Sequence, residues 1–317
     1  MHFHLPLMAE GFHKKGVIKM DIEKLKKAGA INREVLELGK KLIRPGNKVL
    51  GVVEELESYI KKKADLAFPV NLSFNETAAH DTADVDDKRT IPDDAVVKLD
   101  VGTHVDGNIA DSAITIDLSK KYSDLVKASE DALKQALKLI KPGVMVKDIG
   151  KTIYDTITSY NLSPVVNLSG HQIDEYQLHT GLTIPNIPTE SHYMLEEDDV
   201  VAIEPFVSTG AGNVYESGQA KIFMLQKRVP VRLQTAKQLL DYIENEFQGL
   251  PFSFRQLYHA SEFTKIDKTK IPFAFSLLKK QKCFVEFPPL VDRNKGMVSQ
   301  AEHTVIVKDK PIITTKE

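Results

Sequence analysis

The feature that most restricts how this chain can fold is that it repeats itself. Leu42-Ile43-Arg44-Pro45-Gly46-Asn47-Lys48-Val49 returns as Leu139-Ile140-Lys141-Pro142-Gly143-Val144-Met145-Val146, an offset of 97 (139 minus 42). Asn71-Leu72-Ser73 returns as Asn167-Leu168-Ser169, and Val96-Val97-Lys98-Leu99-Asp100 returns as Val200-Val201-Ala202-Ile203-Glu204. Three short matches in one order and at near-constant spacing point to a duplicated unit of roughly 100 residues. The units begin near Asp21 and near Ser123. Around the first Arg-Pro-Gly breaker the apolar spacing is helical. Leu25, Ala28, Val35, Leu36, Leu38 and Leu42 precede it, and Val49, Val52, Val53, Leu56 and Ile60 follow it. Helix pairs followed by short β-forming runs, twice over, predict an α/β (α+β) chain of duplicated units. If those units pack about a pseudo-twofold axis, Asp100 and Glu204, at equivalent strand ends, both approach it.

The run Val96 to Ile116 predicts a hairpin. Asp106-Gly107 suits the two positive-φ positions of a tight turn. A two-residue loop makes pairing partners sum to 213, so Asp100 faces Ala113 and Asp111 lies on the same face. Two carboxylates aimed at one spot in an apolar hairpin need a shared proton, a cation or solvent. For an isolated pair the solvated face is the commoner outcome, so the cation needs support from elsewhere in the chain.

Some of that support comes from the second half. Glu204 is the symmetry partner of Asp100. His171 sits between Gly170 and Gln172, with His179 eight residues on, a setting better suited to a held imidazole than to a core histidine. Glu302 stands where a last strand, Ser299 to Val307, enters an apolar run. On its own it reads equally as an edge-strand charge that discourages aggregation.

The remaining sequence sets boundaries. Residues 21–221 and 286–317 are assigned to the repeated unit. Residues 222–285 are assigned to a compact helical insertion, with Leu233, Ala236, Leu239, Leu240, Ile243 and Phe247 on one face and Phe252, Phe254, Phe263, Phe273 and Phe275 supplying bulk. Residues 1–20 read as an extension, native or added. Their His2, His4 and His13 are set aside from metal arguments. Charge is balanced, 42 basic minus 44 acidic giving −2, which argues against nucleic acid or an anionic membrane as main partner. Cys283 is the sole cysteine, a usage that suits a reducing cytosol, and its apolar neighbours predict a small buried hydrophobe. No apolar run approaches the ~18 residues of a membrane span, and no signal-like segment opens the chain.

Five residues, Asp100, Asp111, His171, Glu204 and Glu302, now converge on one chemistry. Their motifs are KLDVGTHVDGNIADSAIT, GHQIDEYQLHTG, AIEPFVSTGAG and QAEHTVIV, with FPVNLSFNETAAH upstream. In this combination the chain, over about residues 21–317, resembles the pita-bread metallopeptidases, and most closely type 2 methionine aminopeptidases of the archaeal form. The resemblance implies the pita-bread (creatinase/aminopeptidase) fold. It implies two divalent metal ions, Co, Mn, Fe or Zn, bridged by Asp111 and Glu302, with Asp100 on one and His171 and Glu204 on the other. It implies removal of the initiator methionine before a small second residue by metal-bridged hydroxide attack, with Glu204 as proton acceptor. His80 would bond the substrate near the scissile peptide, His179 would stabilise charge on the tetrahedral intermediate, and Phe68 would wall the methionine pocket. Asn213 to Phe223 departs from the eukaryotic form, in which a further pocket histidine occurs. The implied partners are nascent polypeptide N-termini, with the ribosome as a candidate neighbour and no membrane or nucleic acid. The implied protein is a cytoplasmic monomer. An Xaa-Pro aminopeptidase or prolidase shares the ligand types. The His171–His179 spacing and the long insert before Glu302 argue against it. A non-catalytic ribosome- or nucleic-acid-binding relative is expected to have lost ligands, and here all five stand.

Overall fold

The computed structural model describes residues 20–260 and 264–316. His2, His4, His13 and Phe263 lie outside the described residues. Helices α1 (Ile22–Leu42) and α2 (Val49–Lys61) are answered by α3 (Ser123–Leu139) and α4 (Val146–Thr158). The ends of α1 and α3, and both ends of α2 and α4, keep the offset of 97. Asp21 caps α1, its Oδ1 accepting from the backbone N–H groups of Glu23 and Lys24. Gly46 and Gly143 take φ of +82° and +85° in the two breakers, a conformation open to glycine.

Five strands complete the first half: β1 (Asp65–Leu66), β2 (Asn71–Phe74), β3 (Thr77–Ala79), β4 (Val96–Val105) and β5 (Asn108–Asp117). β4 pairs antiparallel with β1 and β2 along one edge and with β5 along the other. The hairpin register is the one expected from a two-residue loop: Asp100 pairs with Ala113 and Gly102 with Asp111. Asp106 and Gly107 both have positive φ, +46° and +81°. Helices α1 and α2 cover these strands. Val35, Val53, Leu56, Leu72, Leu99 and Val101 form the centre of their shared core, each side chain contributing roughly 1.5–3 kcal/mol on burial. Asn32 of α1 pins the hairpin from beneath: its amide donates to Val101 O at 2.6 Å and Ala110 O at 3.0 Å.

The second half carries β6 (Ser163–Pro164), β7 (Ser169–Ile173), β8 (Thr183–Pro185), β9 (Val200–Ile203), β10 (Phe206–Ser208) and β11 (Val214–Glu216). β9 is the counterpart of β4, and α3 and α4 pack behind it through Ala132, Ile149, Ile153, Val201 and Ile203.

Residues 222–287 then form β12 (Ile222–Leu225), α5 (Gln234–Phe247), β13 (Phe252–Ser253), α6 (Phe254–Ala260), α7 (Ile271–Lys280) and β14 (Phe284–Phe287). This segment has its own core, in which Phe223, Leu239, Leu240, Leu257, Leu278 and Cys283 are buried. The expected helices are present, and a three-stranded sheet, ordered β13-β12-β14, accompanies them. Its strands are only two to four residues long, too short for periodicity to separate a strand from a helical turn.

The chain continues as β15 (Leu290–Asp292), β16 (Val298–Gln300), β17 (His303–Ile306) and β18 (Ile312–Ile313). The single last strand expected over 299–307 is therefore two strands, and β18 lies beyond it. The break has its cause on the facing chain. Gln300 pairs with Phe206 on β10, while His303 pairs with Ile203 on β9. Between them Pro205 has no N–H to offer a ladder. Glu302 sits in this gap, opposite Glu204. β17 also lies beside β5: the Asp111 N–H donates to Thr304 Oγ1 and that hydroxyl donates to Asp111 O, both at 2.8 Å, while the Glu302 N–H donates to Ala113 O at 3.0 Å. The two halves thus meet along β5 and β17. Among the described residues no helix is long and apolar enough to cross a membrane.

Candidate metal centre

The seam between β5 and β17 is where the five predicted residues come together. Asp100 and Asp111 project from one face of the first hairpin. His171 comes from β7, paired to β9 at Ala202. Gly170 makes that approach feasible, since a Cβ there would lie 2.2 Å from Ala202 O. Glu204 and Glu302 occupy the two facing strand breaks. Ligand atoms of Asp111, His171 and Glu302 all lie within 4.8 Å of one another. His171 Nε2 is 3.5 Å from Asp111 Oδ2 and 3.7 Å from Glu204 Oε1. The Gln300 amide joins the rest: its Nε2 lies 3.2 Å from Asp100 Oδ2, 3.4 Å from Glu204 Oε2 and 3.3 Å from Glu302 Oε2.

Four carboxyls in this space repel one another. Burial pushes Asp100 well above the usual carboxylate range, and the Asp111 charge adds to it. Burial and then Asp111 and Asp100 do the same to Glu204, while Glu302 is raised by burial and by all three acids. Asp111 is also raised by burial, against the pull of His171. Asp100 Oδ1 and Asp111 Oδ1 are buried and accept no hydrogen bond from the described residues. Such oxygens are costly unless something positive meets them. An oxygen-rich set with one imidazole fits a divalent first-row cation.

The other predicted residues flank this group. The His179 ring stands 4.2 Å from that of His171, edge-on. Burial, with His171 and His80 close by, holds it well below the ordinary histidine range, so it is neutral. His80 has φ +63° and packs edge-on against Phe287 at 5.6 Å. Burial lowers it to about 4, against a hydrogen bond to the Pro288 backbone. Phe68 lies over Gly102, where a Cβ would meet its Cε1 at 2.2 Å. Because Gly102 pairs with Asp111, the missing side chain opens room for that ring beside the acid.

Two features of the site were not read from the sequence. Gln300 stands inside QAEHTVIV, two residues before Glu302, but its amide reaches the acids only because the strand breaks between them. Likewise Asp111 stands on β5 and Glu302 immediately before β17, and β5 and β17 are equivalent neighbours of β4 and β9. The insertion between β9 and β17 hides this second symmetry from any fixed offset.

A family description, "Metallopeptidase family M24", matches residues 23–244. The chain belongs to metallopeptidase family M24. M24 membership implies a divalent metal, and the acid–imidazole group is its candidate site. A methionine aminopeptidase of Methanocaldococcus jannaschii is 43% identical over 296 residues, covering 93% of this chain and 98% of that one. Among solved structures, a thermophilic Arx1 superposes with a TM-score of 0.78 at 16% identity, covering 93% and 91% of the two chains. The methionine aminopeptidase of Thermotoga maritima gives 0.67 at 22% identity, covering 93% and 96%. At these identities the likeness is one of fold, the pita-bread fold of M24 enzymes.

Proposed function

We propose that this protein is a methionine aminopeptidase that removes the initiator methionine from nascent chains whose second residue is small. The observation that carries the reading is the convergence of Asp100, Asp111, His171, Glu204 and Glu302 on one buried spot, together with near-full-length likeness to an archaeal methionine aminopeptidase. In this reading Asp100, Asp111, His171, Glu204 and Glu302 would hold the divalent metal ions, with Asp111 and Glu302 contributed one from each half. When bound, the ions supply an acidified water and a polarised scissile carbonyl. The protein supplies the rest. Glu204, whose Oε1 lies 3.7 Å from His171 Nε2 at the edge of the group, is the carboxylate that accepts and passes on a proton. His179, held neutral, donates a hydrogen bond to the oxygen on which charge develops. His80, also neutral near pH 7, bonds the substrate next to the scissile peptide, and Phe68 walls the methionine side chain. In this reading the protein acts in the cytoplasm, where its one cysteine, Cys283, stays a free thiol.

The test is cleavage of Met-Ala-Ser in parallel with an Xaa-Pro peptide. The first is expected to be hydrolysed and the second spared; the reverse preference would move the assignment to Xaa-Pro peptidases. Glu204→Gln is expected to keep the fold by circular dichroism and to lose at least ~100-fold in turnover, and near-wild-type turnover would remove Glu204 from the role.

A further inference from the structure

Arg255 belongs to α6, within the segment between β11 and β15, yet its guanidinium ends inside the first half. It is buried, and it grips Glu57 of α2 with two parallel bonds, Nη1 to Oε2 at 2.9 Å and Nη2 to Oε1 at 2.7 Å. Its Nε–H donates to Ala83 O at 3.3 Å. Glu57 is buried too, and its Oε1 also accepts the Val70 N–H at 3.2 Å. The Val70 carbonyl in turn accepts from Thr82 Oγ1 at 2.7 Å, and the Leu72 N–H donates to Asp81 O at 2.7 Å. Beside this, Lys221, one residue before β12, donates to Asp81 Oδ1 at 2.7 Å and to Thr82 O at 3.1 Å.

These bonds share one target. The stretch from Phe68 to Ala83 carries Phe68 near one end and His80 near the other, and Asn71 within it pairs with Asp100. Arg255 holds it at both ends, directly at Ala83 and through Glu57 at Val70. A planar fork on a carboxylate fixes orientation as well as distance.

We propose that Arg255, acting through Glu57, is a positioning residue that lets the inserted segment set the wall of the methionine pocket. The proposal rests on the reading of Phe68 and His80 as substrate-contacting. Misplacing such a wall by a fraction of an ångström weakens substrate binding while the acids that hold the metal stay where they are.

Three variants test it: Arg255→Met, Arg255→Lys, which keeps the charge without the fork, and the pair Arg255→Met with Glu57→Gln, which leaves no buried carboxylate unpaired. In Arg255→Met, KM for Met-Ala-Ser is expected to rise about tenfold, with kcat within about threefold and bound metal unchanged. Amide hydrogen exchange at Val70 and Leu72 is expected to quicken while that of β5 does not. Arg255→Lys shows the same pattern in weaker form, and it decides the matter if Arg255→Met does not fold. The double variant recovers melting temperature but keeps the raised KM. Wild-type KM and exchange in the Arg255 variants would overturn the proposal. So would a double variant in which KM returns together with melting temperature. If the wild type leaves Met-Ala-Ser intact, the aminopeptidase reading fails, and exchange at Val70 and Leu72 alone decides whether Arg255 holds the wall.

Discussion

His80 concentrates several physical demands in one residue. It holds a left-handed backbone, its ring is buried against Phe287, and its pKa is lowered to about 4 from an ordinary 6.5. Well above pH 6.5 the ring is neutral in folded and unfolded chains alike and adds no pH dependence to stability. Between 6.5 and 4 the unfolded chain takes up a proton that the folded one refuses, so stability falls with pH, by about 3 kcal/mol at the lower end. His80→Asn retains a residue that tolerates positive φ. Melting temperatures of metal-stripped wild type and His80→Asn, compared from about pH 7 to about pH 4.5, are expected to fall more steeply in the wild type. Equal slopes would contradict the buried neutral ring. The sequence placed His80 after Ala78-Ala79 as a substrate contact. Its neutrality was not legible there, because Phe287 and Pro288 lie more than 200 residues away in the chain (287 minus 80 is 207).

The hairpin shows what short-range rules can and cannot reach. Asp106-Gly107 fixes the register, the register fixes parity, and parity puts Asp100 and Asp111 on one face; each step was open to reading from about twenty residues. Gly102 was not, since its importance comes from the Phe68 ring that fills the space above it. Gly102→Ala is expected to displace that ring, cost roughly 1–3 kcal/mol in stability and raise KM for Met-Ala-Ser, measured by denaturant titration and steady-state kinetics. An unchanged midpoint would mean that the ring has room to spare. The strand break at Ala301-Glu302 lay beyond local pattern for a similar reason. It is set by Pro205, in the gap between β9 and β10 almost 100 residues earlier, and only the break brings Gln300 within reach of three acids. The sheet in residues 222–287 escaped for a plainer one: its strands are too short for periodicity to separate them from helix.

At the scale of the whole molecule, the duplicated architecture was the most legible property, because helix boundaries repeat at a constant offset. The site is a seam: β4 and β5 bring two acids, β7 an imidazole, and the breaks beside β9 and β17 one acid each. A cation there ties both halves, so stripping it with EDTA is expected to lower the melting temperature near neutral pH, and Mn or Co in excess to restore it. Saturation a hundredfold above Kd corresponds to about 2.7 kcal/mol. A melting temperature indifferent to chelation would mean that the seam holds without its ion. The same seam has a consequence for timing. A ribosome making this chain delivers Asp111 early and Glu302 only 191 residues later (302 minus 111). Until then β9 waits without β17, and three acids and His171 wait without the fifth member of their group. A growing chain therefore cannot complete its set of metal ligands, and the site closes only when the C-terminal strands arrive.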